Sequence, residues 1–501
     1  MKKRRIVIIL SLILLAAAYS FFVLRSESDV DTGKTADIIA NTCPRYKIDV
    51  DFDPEAKKLT AFQEVAIVNS KAEEFESLYF HIYPNAFKNA DEVPFADEDI
   101  SYAYPEGFAP GYINIKKVTA GTREVEFNIE DTILEIKLET ALKPKEEISL
   151  TFEFEVQIPP AIGNFGYGEN TYNIAQWYPI LAVYDEKGWH KDPYYGIGDP
   201  FYSEVAQYEV KIKAPKEYTI AASGSLDEKH EENGRVAWSF KTGLIRDFAW
   251  SASASFETRE ATVGKSKVIS YYIKGKEEYG QKALEFGKNA LSFFNEYFGE
   301  YPYENYSIVA ADFIFSGMEY PNLVIVNEEF YEQGMYLDYL EYTIVHETAH
   351  QWWYGLVGNN QIEEAWLDEA LTEYSTVLYY EHYYGKAVAQ DIYERFTLAP
   401  YRYFETSMSL GPIKRLLSEF ENWDDYSATV YNRGAIMLKD IEARMGKEKL
   451  REALKFYFEQ NIYDNATAED FISALNRVTG TDWTDYVNEW LETTEILESA
   501  A

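Results

Sequence analysis

The sequence predicts a multidomain α+β protein in which an antiparallel, β-sandwich-like domain is followed by a mainly α domain. Three observations carry this. The chain has 501 residues, several times the length of one minimal domain. Apolar and polar residues alternate with period two between residue 45 and about residue 258. From residue 340 onward the apolar residues recur at helical spacing instead. Composition narrows the function: 84 Asp and Glu against 47 Lys and Arg leave a net charge of −37, which repels polyphosphate and excludes nucleic acid as a partner. The only cysteine, Cys43, rules out an intrachain disulfide and a Cys-based zinc ribbon. Any metal site must therefore draw on His, Asp or Glu.

In chain order, residues 1–25 read as an export signal and anchor. Lys2, Lys3, Arg4 and Arg5 precede an uncharged, mostly apolar run from Ile6 to Leu24, about the length that spans a bilayer, and Arg25 closes it. Ala16-Ala17-Ala18 offers a cleavage site, but the run continues through Phe21-Phe22-Val23-Leu24, which favours an uncleaved membrane anchor over a secreted product. The basic start places the N-terminus in the cytoplasm and the remainder outside. Residues 26–44 are polar and aperiodic, a tether. Residues 45–258 form the β-domain: Tyr46, Ile48, Val50 and Phe52 alternate with polar residues, as do Leu150, Phe152, Phe154 and Val156, between turn signals such as Asp53-Pro54. Residues 259–495 form the second domain, opening with a helical face at Leu284, Leu291, Phe294 and Phe298.

The chemistry lies early in that second domain. His346-Glu347-Thr348-Ala349-His350 is an H-E-x-x-H motif in a stretch without Pro or Gly. Two histidines at i and i+4 share one helix face, so both imidazoles reach one zinc ion while Glu347 stands beside its open position. A catalytic zinc takes a third protein ligand. On the next predicted helix, Glu363 to Tyr380, Glu369 follows His350 by 19 positions, within Trp366-Leu367-Asp368-Glu369-Ala370. Glu373, one turn further, reads equally as a partner of the ligands or as a solvated residue.

The segment His346 to Tyr374 resembles the M1 family of zinc aminopeptidases, whose signature is H-E-x-x-H and then, after 18 intervening residues, Glu. Gly317-Met318-Glu319-Tyr320 resembles the family's G-x-M-E-N motif, and Tyr431-Asn432-Arg433-Gly434 its Y-x-K-G segment. The likeness extends over residues 45 to about 495. Tyr320, Asp368 and Arg433 depart from the family's Asn, Asn and Lys without removing a catalytic group. The chain stops soon after Trp490-Leu491, where the family's thermolysin-like catalytic domain would end, so no helical roof domain is expected.

The resemblance implies a single-pass, extracytoplasmic zinc aminopeptidase acting on peptides. It makes His346, His350 and Glu369 the Zn2+ ligands, Glu347 the general base and Tyr431 the oxyanion donor. It assigns Glu319, with Gly317 and Met318 beside it, to the substrate's free α-amine, and Gln176 to the same subsite from the β-domain. A zinc endopeptidase is the alternative; it would use the same zinc, Glu347 and Tyr431 without Glu319. A binding module on this scaffold would have lost zinc ligands or Glu347, and all are present.

Overall fold

The fold is given by a computed structural model that describes residues 32–332, 336–494 and 496. The run from Ile6 to Leu24 lies outside the described residues; among those described, no helix is long and apolar enough to cross a membrane. The described residues up to Asn41 belong to a unit of their own. Where a tether was expected, Thr32–Thr42 is helical. The segment lacks proline and sets Ala36, Ile39 and Ala40 at i, i+3 and i+4, a pattern its polar composition obscures.

From Arg45 the alternation becomes strand. The largest sheet has eight strands in the spatial order 225–232, 235–241, 207–215, 45–53, 58–68, 147–157, 112–120 and 123–124. All neighbours run antiparallel except Arg45–Asp53 and Gln207–Pro215, which pair in parallel. Tyr46, Ile48, Val50 and Phe52 point inward while Lys47, Asp49 and Asp51 face water, so a one-residue slip would expose the whole apolar set. Two four-stranded sheets cover the inner face. Phe52 meets Tyr172 and Trp250 from one, and Phe152 meets Phe80 from the other, each edge to face at about 5 Å between ring centres.

A five-stranded sheet opens the second half, in the order 256–263, 266–273, 305–311, 323–327 and 317–318. Its first strand runs across residue 258 and pairs with Ser266–Ile273. Helix Glu277–Tyr297 lies on this sheet, with Leu284, Leu291 and Phe294 buried. A Cβ on Gly287 would stand 2.1 Å from Cδ1 of Ile308, so the helix comes closer to the sheet than a side chain would allow. The edge strand Gly317–Met318 delivers Glu319 to the start of a loop; helix Tyr336–Ala349 packs beside it, and helix Trp366–Tyr384 packs against that helix.

One buried charge clasps the two halves. Arg246, on a loop of the β half, donates to the Tyr354 and Ser203 carbonyls at 2.7 and 2.9 Å, to Asn465 Oδ1 at 2.5 Å and to the Asp464 carbonyl at 2.5 Å. Gly358 leaves room for it, since a Cβ there would lie 2.0 Å from its guanidinium carbon.

Candidate active site

Helix Tyr336–Ala349 carries His346 and Glu347 and ends one residue short of His350, whose N–H still donates to the His346 carbonyl at 3.3 Å. The i, i+4 spacing therefore survives the helix end, and the two Nε2 atoms stand 3.2 Å apart. Helix Trp366–Tyr384 is buried on every side from Trp366 to Tyr380, and Glu369 on it is 2% exposed. Its Oε2 lies 3.4 Å from His346 Nε2 and 3.2 Å from His350 Nε2.

These three atoms form a triangle of edges 3.2–3.4 Å. Ligands about 2.0–2.1 Å from a tetrahedral zinc lie roughly 3.3–3.4 Å from one another, so the donor set fits that ion. Glu369 Oε2, buried and without a hydrogen-bond partner, fits it too, because such an atom otherwise forfeits its solvation. Charge agrees with geometry. Burial opposes ionisation of Glu369, yet the His350 and His346 rings hold it down to about 2. Burial likewise opposes charge on His346 and His350, and the carboxylates around them outweigh it, lifting both to about 10. The centre of the triangle demands positive charge.

Neighbours fix the ligand rings. Nδ1 of His350 lies 3.0 Å from the Trp353 carbonyl, which can only accept, so the proton sits there and Nε2 turns its lone pair inward. His346 Nδ1 faces Glu373 Oε2 at 3.4 Å. Glu373 in turn accepts from Tyr342 and, at 2.8 Å, from Thr397, which settles it as a partner of the ligands and not a solvated residue.

Glu347 is buried, its Oε2 has no partner, and burial raises its pKa to about 7 against the pull of His346 and His350. A carboxylate tuned near neutrality is suited to accept and return a proton. Gly317 explains its own place in the motif: a Cβ there would sit 2.4 Å from Glu347 Oε1. Gly317→Ala is expected to displace that carboxylate and lower kcat by about 10-fold or more with metal content unchanged, since a misplacement of about 1 Å costs up to roughly 100-fold. Equal kcat would show that Glu347 has room to move.

Glu319 is 3% exposed, and its Oε1 has no hydrogen-bond partner. Carboxylate oxygens of Glu319 and Glu347 and a ring nitrogen of His350 all lie within 4.8 Å of one another. Met318 is buried beside it and lines the same cleft. Tyr431, on a wide helical turn spanning Ser427–Arg433, donates to Glu369 Oε1 at 2.6 Å, and its ring lies 6.0 Å from that of His346.

Gln176 goes elsewhere. Its backbone takes a positive φ of 48°, and its amide donates to Asp247 at 2.8 Å in the interior of the β half, so it is not among the residues lining the cleft. The β half instead supplies Asp199, which the sequence reading missed. Asp199, Glu319 and Glu369 bring carboxylate oxygens within 4.8 Å of one another. Burial, reinforced by that crowding, raises Asp199 and Glu319 well above the usual carboxylate range. The signal for Asp199 was the Gly196-Ile197-Gly198-Asp199-Pro200 turn. Among the three departures, Asp368 accepts from Gln361 at 2.7 Å, Arg433 donates to the Thr494 and Gly411 carbonyls, and the Tyr320 carbonyl accepts from Gln351. Asp199, Glu319, His346, Glu347, His350, Glu369 and Tyr431 all line one cleft of about 380 Å³.

Residues 282–490 match the model of the peptidase family M1 domain. The chain is 24% identical over 311 residues to probable aminopeptidase 2 of Sulfurisphaera tokodaii, covering 57% of this chain and 38% of that one. It is 28% identical over 304 residues to aminopeptidase N of Escherichia coli K12, covering 56% and 34%. A match to aminopeptidase N of Lactobacillus delbrueckii subsp. lactis, 22% identical over 400 residues, covers 76% and 46%. The matched region is thus under half the length of each of these relatives. Among solved structures, the M1 zinc metallopeptidase of Deinococcus radiodurans shares the fold with a TM-score of 0.65 at 14% identity, over 92% of this chain and 96% of that one. The H-E-x-x-H helix and the second ligand helix both fall within residues 282–490, the part of the chain that matches the peptidase family M1 domain.

Proposed function

We propose that the protein is a zinc aminopeptidase that removes single residues from the N-termini of peptides. The observation that carries the reading is one cleft holding both the ligand triangle of His346, His350 and Glu369 and the unpartnered, buried carboxylate of Glu319. Zinc held by that triangle supplies Lewis acidity for a carbonyl and a lowered pKa for water. Glu347 takes the proton from the attacking water and returns it to the leaving amine. Tyr431 donates a hydrogen bond to the oxygen on which charge develops, a contact stronger in the transition state than before it. Glu319 and Asp199 pair with the free α-ammonium, which fixes the cut one residue from the chain end. The test is a panel of aminoacyl reporter substrates, each with its N-acetylated twin, on protein of measured zinc content. Turnover of the free amines alone is expected. Equal cleavage of both series would replace this reading with an endopeptidase, and protein that binds no zinc would end it.

The proposal extends to location. The basic start and the apolar run Ile6 to Leu24 support a single-pass anchor with the catalytic part outside the cytoplasm. The protein is expected to resist salt washing of membranes and to leave them only with detergent; recovery of a soluble form starting near Tyr19 would show cleavage instead.

A further inference from the structure

The turn that follows His350 is strained. Tyr354 takes a φ of 130°, a region that a bulky L side chain rarely enters, even though a glycine follows it in the chain. Such a conformation persists only where its surroundings hold it. Within the turn, the Tyr354 N–H donates to the Val357 carbonyl at 2.8 Å and the Gly355 N–H to the His350 carbonyl at 2.9 Å. From the β half, Arg246 Nε donates to the Tyr354 carbonyl at 2.7 Å. That mount is rigid. Asp247, next to Arg246, accepts from Tyr178 and Gln176, both at 2.8 Å, and from the Phe248 N–H at 2.7 Å, while the remaining guanidinium nitrogens are committed to Ser203, Asp464 and Asn465. The strained torsion is the one that turns the Trp353 carbonyl relative to the Tyr354 carbonyl held by Arg246. The Trp353 carbonyl meets Nδ1 of His350 at 3.0 Å, and Thr372 Oγ1 stands 3.2 Å from the same nitrogen. A carbonyl only accepts, so it keeps the proton on Nδ1; a hydroxyl can also donate, which would leave the proton on Nε2, at the corner of the ligand triangle where a metal must bind.

We propose that Arg246 is a positioning residue for the metal: through the strained Tyr354 it holds the Trp353 carbonyl on His350 Nδ1, and so keeps the Thr372 hydroxyl from donating to that nitrogen. A residue of the β half thereby sets the tautomer and aim of a ligand on the other half. The inference rests on the zinc reading of His346, His350 and Glu369 and goes beyond it. Loss of an outer partner of a metal ligand typically costs about 10- to 100-fold in metal affinity. Lysine cannot take the place of Arg246, because a single ammonium lacks the planar fork that reaches acceptors on three separate segments at once.

The experiment measures the zinc dissociation constant of the full-length protein and its variants by competition with a chelating indicator, with the melting temperature of each metal-free sample alongside. Arg246→Lys is expected to weaken zinc binding by about 10- to 100-fold. Asn465→Ala removes another acceptor of the same guanidinium and leaves the Tyr354 bond; it is expected to lower the melting temperature and to keep zinc affinity within about twofold of wild type. Thr372→Val keeps the shape and removes the competing hydroxyl, so in that background the effect of Arg246→Lys is expected to shrink to about twofold. If Arg246→Lys does not fold, Gly358→Ala is read in its place, since its Cβ displaces the guanidinium while the charge stays. Zinc held by the Arg246 variant as tightly as by wild type, an equal loss in Asn465→Ala, or a loss undiminished in the Thr372→Val background would overturn the positioning role and leave the zinc reading standing. Wild-type protein that binds no zinc would end both.

Discussion

Glu347→Gln is expected to lower kcat by about 100- to 10,000-fold while zinc content stays at the wild-type level, the range a positioned general base contributes. The substitution keeps shape and volume, which matters at a buried site wedged against Gly317. The ligand triangle does not include Glu347, so metal affinity has no reason to fall. An amide has no basic site at this pH, so the proton of the attacking water has nowhere to go. The measurement is kcat on a free-amine reporter together with zinc per chain on the same sample. Wild-type kcat with full zinc would remove Glu347 from the mechanism, and loss of zinc would make it a part of the metal site.

Tyr431→Phe comes second. Its hydroxyl is held 2.6 Å from Glu369 Oε1, on a turn fixed by the Arg433 contacts, so the donor is aimed before substrate arrives. Removing one such donor typically costs about 2.7–4 kcal/mol, or roughly 100- to 1000-fold in kcat with little change in KM. Because the same hydroxyl supports a metal ligand, zinc content must be read alongside. A fall in kcat that tracks zinc loss would make Tyr431 a support of Glu369 and nothing more.

Both residues were legible in the sequence, for different reasons. The H-E-x-x-H spacing converts directly into distance, because helical geometry makes four residues one turn, and the period-two strands convert into a face in the same way. Tyr431, Glu319 and Glu369 were reached through the family resemblance, since nothing in a lone Tyr or Glu states where its helix or strand will lie. Asp199 and Gln176 show where such reading stops. Asp199 meets Glu319 because a loop of the β half returns to the cleft, a tertiary contact without local periodicity. Gln176 was placed in the amine subsite by alignment alone, and its positive φ turns the side chain to Asp247. The helix Thr32–Thr42 was missed because polar composition outweighed its short apolar spacing.

The Arg246 clasp bears on how the protein is made. Its four acceptors come from Ser203, Tyr354, Asp464 and Asn465; three are main-chain carbonyls and one is a side-chain amide, with no countercharge among them. Contacts between segments this far apart in the chain carry a large loop-closure cost and form late in folding. During synthesis the β half can pair its strands as soon as it emerges, but a guanidinium already committed to the interior must wait for residues 464 and 465. The segment that follows helix Tyr336–Ala349, tied to that same arginine through the Tyr354 carbonyl, therefore gains its full set of contacts only after residues 464 and 465 have been made.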